Sequence, residues 1–407
     1  MRRHRFTACA GISLLPLLAG CGHLSGGFAG VPHPTFASSV QRGLGADLSA
    51  DADSALSDAG PPKRDAEDHD DLFERMRAGF ALPRADDLRV RQEIDWYVAH
   101  SAYLDRTFER GRRYLHYIVR QLEERNMPCE LALLPVVESA FDPFASSPSM
   151  ASGLWQFIPS TGQRYGLDQD WWMDGRRDVL AATRAALDLL EELHEEFDGD
   201  WLLALAAYNA GAGNVKRAVE RNQRAGLPTD FFALDLLPET RSYVPRLLAI
   251  ARVTAEPERF GIVFPAIPNA PYFTRVDVGG QVDLGLVANL AAIPIEELRA
   301  LNPQYKRWAT APRGPHELLV PTPAEQRVHE VLATLPPSKR LRFVRHRVRR
   351  GDTLIGIASR YGVPLEALRD VNRVRGSLIH PGDELLVPLP TGATAAARPS
   401  LHLGFES

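Results

Sequence analysis

The chain has 407 residues, 45% hydrophobic and 24% charged, with a formal net charge of −4. That composition is ordinary for a globular protein, and the length leaves room for two or three domains. So small a charge excludes a global field for nucleic acid or a membrane surface, and three cysteines (Cys9, Cys21, Cys129) exclude a disulfide framework or a cysteine-built metal cluster.

The first element is a leader. "MRRHRFTACAGISLLPLLAGC" starts basic (Arg2, Arg3, Arg5) and turns apolar from Phe6 to Ala19. The apolar run is too short to span a bilayer comfortably, and Pro16 interrupts it. It ends in small residues before a cysteine, which resembles the bacterial lipoprotein signal. That resemblance implies removal of residues 1–20 and lipidation of Cys21, whose acyl chains would anchor the protein to a membrane. Gly22, not Asp, follows, which by the same resemblance implies the outer membrane, with the body in the periplasm. An ordinary secretory signal with a chance cysteine is the alternative. Residues 21–71 are rich in Gly, Ala, Ser, Pro and Asp and read as a flexible tether.

Residues 72–265 have helical texture. "LRVRQEIDWYVAH" and "RTFERGRRYLHYIVRQLEERN" are amphipathic, and Asp178–Gly211 gives two helices broken at Asp198-Gly199. After Pro265 the chain repeats itself. "IPIEELRALNP" (Ile293–Pro303) matches "VPLEALRDVNR" (Val363–Arg373), and "ELLVP" occurs at Glu317 and again at Glu384. In the second copy "HRVRRGDTL" predicts a strand and a helix capped at Asp352-Thr353, and "DELLVPL" a closing strand, in the order βααβ. The expected architecture is a mainly α domain followed by small α+β modules at 272–322 and 343–390, with a disordered tail at 391–407.

One carboxylate in the α domain stands out. In "LALLPVVESAFDP" a helix entered at Pro128 puts Glu138 on one stripe with Leu131, Leu134 and Phe141, and no Lys, Arg or His falls between Glu130 and Arg164. Desolvation there would raise its pKa and leave it protonated near neutrality, as a general acid requires. A buried Glu satisfied by a distant Arg or a backbone amide fits the helix equally well. Four stretches of the domain suit a sugar site: "ESAFDP", "SGLWQFIPSTG", "AAYNAGAGNV" and "LPETRSYV". Trp155 and Tyr208 are candidates to stack on pyranose faces, though for either alone core packing is the better reading. Gln156 and Asn209 offer donor and acceptor in one group, and glycines 153, 211 and 213 would let backbone approach a ligand.

These stretches, in this order, resemble the lysozyme-like domain of lytic transglycosylases over roughly Leu115–Ala255, and the βααβ repeats resemble LysM modules, the first copy degenerate. With the leader, the whole is similar to the membrane-bound lytic murein transglycosylase D family. That resemblance implies non-hydrolytic cleavage of the MurNAc–GlcNAc β-1,4 bond of peptidoglycan, leaving a 1,6-anhydro end, with no cofactor or metal. By position, Glu138 matches the catalytic acid and base and Ser147 a serine near the N-acetyl group. Gln156, Tyr208 and Asn209 match residues lining the cleft, and Glu239 and Tyr243 the motif beside the glutamate. Ile158 stands where many relatives have Met. LysM-type glycan binding would fall on Gly351, Asp352, Thr353 and Leu354 and on Ile379, His380, Pro381 and Gly382. Most glycosidases use two carboxylates. Here the motifs mark one, and Asp142 reads as a turn residue, so the substrate N-acetyl group is expected to supply the second function. A lysozyme-type hydrolase and a non-catalytic peptidoglycan-binding scaffold are the alternatives.

Other signals are set aside. "LHEEF" has Asp198 where a zinc helix needs its second His, and "GAGNVK" lacks phosphate-loop spacing. In "KRLRFVRHRVRR" the alternation of Arg345, Arg347 and Arg349 predicts the solvated face of a strand rather than a nucleic-acid site.

Overall fold

A computed structural model describes residues 69–389. The expected leader, Cys21, the tether as far as residue 68 and the tail at 391–407 lie outside the described residues. Ten α-helices come first: α1 (Leu72–Ala78), α2 (Leu88–Ala99), α3 (Ser101–Gly111), α4 (Leu115–Glu124), α5 (Leu134–Ser139), α6 (Pro159–Arg164), α7 (Val179–Glu196), α8 (Trp201–Ala210), α9 (Ala212–Arg224) and α10 (Pro238–Ala255). Aspartates open several of them. Asp71, Asp87, Asp178 and Asp200 each accept a backbone N–H of the first turn. The helix α8 is apolar almost all round, so it takes the middle of the bundle, with Leu203–Ala207 buried. It lies against α7, α9 and α10, and α10 runs along α2. Among the described residues no helix is long and apolar enough to cross a membrane.

Two βααβ units follow. The first is β1 (Phe273–Asp277), α11 (Leu284–Leu290), α12 (Ile295–Leu301) and β2 (Glu317–Pro321). After a linking helix, α13 (Glu325–Thr334), comes β3 (Arg342–Arg347), α14 (Leu354–Tyr361), α15 (Leu365–Asn372) and β4 (Glu384–Leu389). Each strand pair is antiparallel, with Arg275 opposite Leu319 in one and Arg345 opposite Leu386 in the other. One device recurs in both. Asn302 donates to the carbonyls of Leu298 and Leu319 and accepts from Leu319 N; Asn372 does the same with Leu368 and Leu386. The strand β3 begins before the expected "HRVRRGDTL" stretch, and Arg345, Arg347 and Arg349 are exposed while His346 and Val348 are buried, as the alternation predicts.

The first unit is fastened to the helical domain. Arg113 forms a forked pair with Glu297 (Nη2–Oε2 2.7 Å), the Tyr114 hydroxyl donates to Ala300 O, and the backbones join through Asp174 N to Gln304 O and Lys306 N to Trp172 O. The second unit packs on the first through Trp308, Ala309 and Ala311, against Leu341 and Ala367.

Candidate active site

The segment carrying Glu138 differs from the expected continuous helix. Cys129–Leu133 is a 3₁₀ turn, and α5 is only six residues long. Pro135 lies in the first turn of α5, where its missing N–H costs nothing, but it cannot continue a helix arriving from Pro128. Ala140 and Phe141 then adopt positive φ (50° and 54°) and end the helix. Phe141 is still fully buried, but it reaches the core through this turn and not along a helical stripe. Glu138 is thereby left in the last turn of a short helix, partly exposed.

Its carboxyl group is held from across the fold. The Tyr243 hydroxyl of α10 donates to Glu138 Oε1 at 2.5 Å. Burial pushes the Glu138 pKa up to about 8; the Tyr243 hydrogen bond works against that rise, and the negative charge of Glu239 adds to it. The partner is thus a neutral hydroxyl, not the distant Arg or backbone amide of the structural alternative. Glu239, in the first turn of α10, is itself raised by burial, while Arg246 and a hydrogen bond from Asn209 oppose the shift. Asn209, at the end of α8, accepts from the Thr240 hydroxyl at 2.8 Å. Arg246 pairs with Glu93 of α2 at 3.3 Å. Glu138, Tyr243, Glu239 and Asn209 therefore form one connected group built from α5, α8 and α10.

Tyr208 and Trp155 serve that group as wall and not as platform. Tyr208 is 5% exposed and Trp155 1% exposed. The Tyr208 hydroxyl donates to Trp155 O at 2.9 Å, and the Trp155 indole N–H donates to Thr183 Oγ1 at 3.0 Å. Neither offers a free face, so the stacking expectation gives way to core packing. Both Tyr208 and Tyr243 have pKa values pushed well above the usual tyrosine range, by burial first and then by the charge of Glu138.

Between α5 and α6 the chain makes a self-bonded loop. Gln156 takes φ 49° and spends its amide N–H groups on Gly153 O and Ala145 O. The Ser147 hydroxyl accepts from Ala151 N at 3.1 Å and shares a hydrogen bond with Ser149. Asp142 accepts from Phe144 N, a turn role as expected. Gly153 has φ 83°, and a Cβ there would lie 2.3 Å from Arg176 O. Its freedom serves close approach to the chain itself, not to a ligand; Gly211, with φ 83°, likewise makes the break between α8 and α9.

Sequence reasoning missed the buried Asp174–Arg176 pair, which pins this loop: Arg176 donates to the carbonyls of Met150 and Phe157. It also missed Thr240 and Arg246, although Thr240 lies within the quoted "LPETRSYV" stretch.

In the second βααβ unit, Thr353 caps α14 through Gly356 N. Asp352 accepts from Arg349 N and contacts His346 and Arg360, and the Arg349 N–H first, then the His346 hydrogen bond, hold its carboxyl below the usual range. Leu354 is 2% exposed and belongs to the unit's core, so it is withdrawn as a sugar contact. Gly351 (φ 89°), His380, Pro381 and Gly382 (φ 101°) are exposed, and Ile379 is half-buried against the core.

Three families match along the chain: the transglycosylase SLT domain at residues 117–228, the LysM-like domain of lytic transglycosylase MltD at 272–337, and the LysM domain at 346–388. Membrane-bound lytic murein transglycosylase D from Escherichia coli is 38% identical over 337 residues, which is 80% of this chain and 74% of the relative. The chain belongs to the lytic murein transglycosylase D family. A putative tributyltin chloride resistance protein from Alteromonas is 41% identical over 43% of this chain and 83% of its own length. The crystal structure of the 70 kDa soluble lytic transglycosylase from Escherichia coli is 18% identical, covers 43% of this chain and 32% of its own, and has a TM-score of 0.28. Family membership makes the helical domain a lysozyme-like transglycosylase domain, the first βααβ unit a LysM-like domain and the second a peptidoglycan-binding LysM module.

Proposed function

We propose that this lytic transglycosylase cleaves the MurNAc–GlcNAc β-1,4 bond with Glu138 as its one catalytic acid and base, leaving a 1,6-anhydro-MurNAc end. The observation that carries the reading is the raised Glu138 carboxyl under the Tyr243 hydroxyl. A pKa of about 8 keeps it protonated at neutral pH, ready to protonate the leaving glycosidic oxygen. The N-acetyl carbonyl of the muramic sugar stabilises the oxocarbenium-like centre. Once Glu138 has given up its proton, the Tyr243 hydrogen bond strengthens on the new negative charge. The carboxylate then takes the C6 hydroxyl proton, and O6 closes on C1. Ser147, Gln156, Tyr208, Asn209, Glu239 and Tyr243 shape this site, mostly by holding its walls. LysM modules hold the enzyme on glycan strands. A lipid on Cys21 anchors it to the inner leaflet of the outer membrane, with the body in the periplasm.

Mass spectrometry of muropeptides released from purified sacculi tests the chemistry. Products lighter by one water carry the anhydro ring; ordinary reducing ends overturn the proposal. One observation favours a hydrolase as second reading: Glu239 puts another carboxylate near Glu138. In that case Glu239→Gln abolishes release of reducing ends.

A further inference from the structure

We propose that a cationic cleft where the helical domain meets both LysM modules binds the acidic peptide stems of the glycan substrate. The inference rests on the peptidoglycan reading above. The cleft is open to solvent and holds about 490 Å³, and its lining includes Arg177, Arg299, Lys306 and Arg307, together with Phe144 and Trp171; no Asp or Glu lines it.

Many arginines on this surface are paired, whereas the four cations of the cleft are gathered in one place without a carboxylate. Arg112, Arg164 and Arg224, for example, face carboxylates at 3.3, 2.7 and 2.9 Å. Among the described residues none of the four in the cleft has a carboxylate within ion-pair distance. Their hydrogen bonds go to neutral acceptors: Arg177 to Ser152 Oγ at 2.8 Å, Lys306 to Asp170 O at 2.5 Å, Arg307 to Trp171 O at 3.2 Å. Neutral acceptors leave the charge uncompensated. Arg307 also lies 3.9 Å over the Trp171 ring, and burial lowers its pKa, a cost that an incoming anion relieves.

Position and chemistry select the occupant. Phe144, 45% exposed, belongs to the loop that leaves Glu138, so the cleft adjoins the catalytic segment. Gly362 and Pro364 of the second LysM module line its other side. A strand reaching from the site to that module borders the cleft. The sugars of the strand bring amides and hydroxyls; its carboxylates are on the lactyl-linked peptides. Four unpaired cations match the carboxylates of the peptide and not the neutral hydroxyls and amides of the sugar.

The test uses the soluble chain beginning after Cys21 and a disaccharide tetrapeptide, GlcNAc–MurNAc carrying its stem. This ligand contains no MurNAc–GlcNAc bond, so binding is read without turnover and stands apart from the cleavage chemistry. Calorimetry compares it with the same ligand after amidation of its carboxylates. The expected result is that amidation weakens binding about fivefold in the wild type. In the double variant Arg299→Glu, Lys306→Glu, both exposed positions, the two forms bind alike. Equal binding of the two forms by the wild type overturns the proposal, as does discrimination that survives the double variant. Should the variant fail to fold, a salt titration of the wild type decides. Screening must shrink the difference, and discrimination undiminished at about 0.5 M salt overturns the proposal.

Discussion

Tyr243 reaches Glu138 from 105 residues further along the chain and places its hydroxyl 2.5 Å from Oε1. The bond and the surrounding burial pull the same proton in opposite directions. Burial favours the acid, and the hydroxyl favours the carboxylate. The balance predicts an alkaline limb in the pH–rate profile near 8, where Glu138 loses its proton. Tyr243→Phe removes the force favouring the carboxylate, so the limb moves to higher pH. In the proposed mechanism the same change weakens the carboxylate that closes the ring, so kcat is expected to fall about tenfold. Profiles on a soluble glycan check both effects, and a limb that stays in place separates Tyr243 from the acid.

The raised pKa also predicts a stability difference. In the folded protein Glu138 titrates near 8, against an ordinary value of 4.5. Between those values the folded state binds the proton that the unfolded chain releases, so stability present below pH 4.5 is lost as pH rises through 8. Glu138→Gln keeps an acceptor for Tyr243 and carries no charge. The variant is expected to melt with the wild type near pH 4 and above it at pH 8, by on the order of 1–3 kcal/mol. Paired thermal melts at the two pH values measure this, and identical differences at both refute it.

How much was legible follows from distance along the chain. The apolar setting of Glu138 could be read locally, because no cation lies between Glu130 and Arg164. Its partner could not, since nothing in "VESAF" points to a tyrosine in another helix. The break before α5 has a local cause, Pro135, which a reading by apolar periodicity alone passes over. Trp155 is core because Thr183 and Tyr208 close over it, a long-range fact that its own sequence window does not carry. Internal repetition made the βααβ order readable. The docking of the first unit was not, because Arg113 and Glu297 each read as ordinary surface charge until the fold pairs them. Most of the motif residues shape the loop and walls around Glu138, so matching the motif gathered a candidate group without revealing each side chain's task.

Gly153 is one such residue. Its φ of 83° and the 2.3 Å approach of a Cβ to Arg176 O leave a side chain no room. Backbone, not a flexible side-chain end, would have to move. Gly153→Ala is expected to cost about 2–4 kcal/mol and to displace the loop holding Ser147 and Gln156. Urea unfolding and turnover of soluble glycan read the two effects. A fully stable and active variant would show that the approach is not required. Gly226, with φ 66° and nothing within 4 Å of its Cβ, serves as the control. Its replacement by Ala carries only the dihedral cost, about 1 kcal/mol.

The paired asparagines give a comparison within one molecule. Asn302 and Asn372 make the same three hydrogen bonds to a helix carbonyl and a closing strand, but Asn302 is 1% exposed and Asn372 is half-buried. Truncation leaves a strand N–H and carbonyl without their partner. Water can replace the side chain at Leu386 more readily than at Leu319, which is 5% exposed. Asn302→Ala is therefore expected to cost about 2–3 kcal/mol and Asn372→Ala about 1 kcal/mol. The consequences differ in place as well. The first unit is bonded to the helical domain through Glu297, Ala300 and Gln304, so its loosening reaches the wall beside Trp172. The second unit can loosen without disturbing those bonds. Asn302→Ala should lower both sacculus binding and cleavage of short glycans, whereas Asn372→Ala should lower sacculus binding alone. Hydrogen exchange at Leu319 and Leu386 N–H, measured alongside both assays, separates the two cases; equal effects of the two variants on cleavage would mean that the modules are not coupled unequally to the catalytic domain.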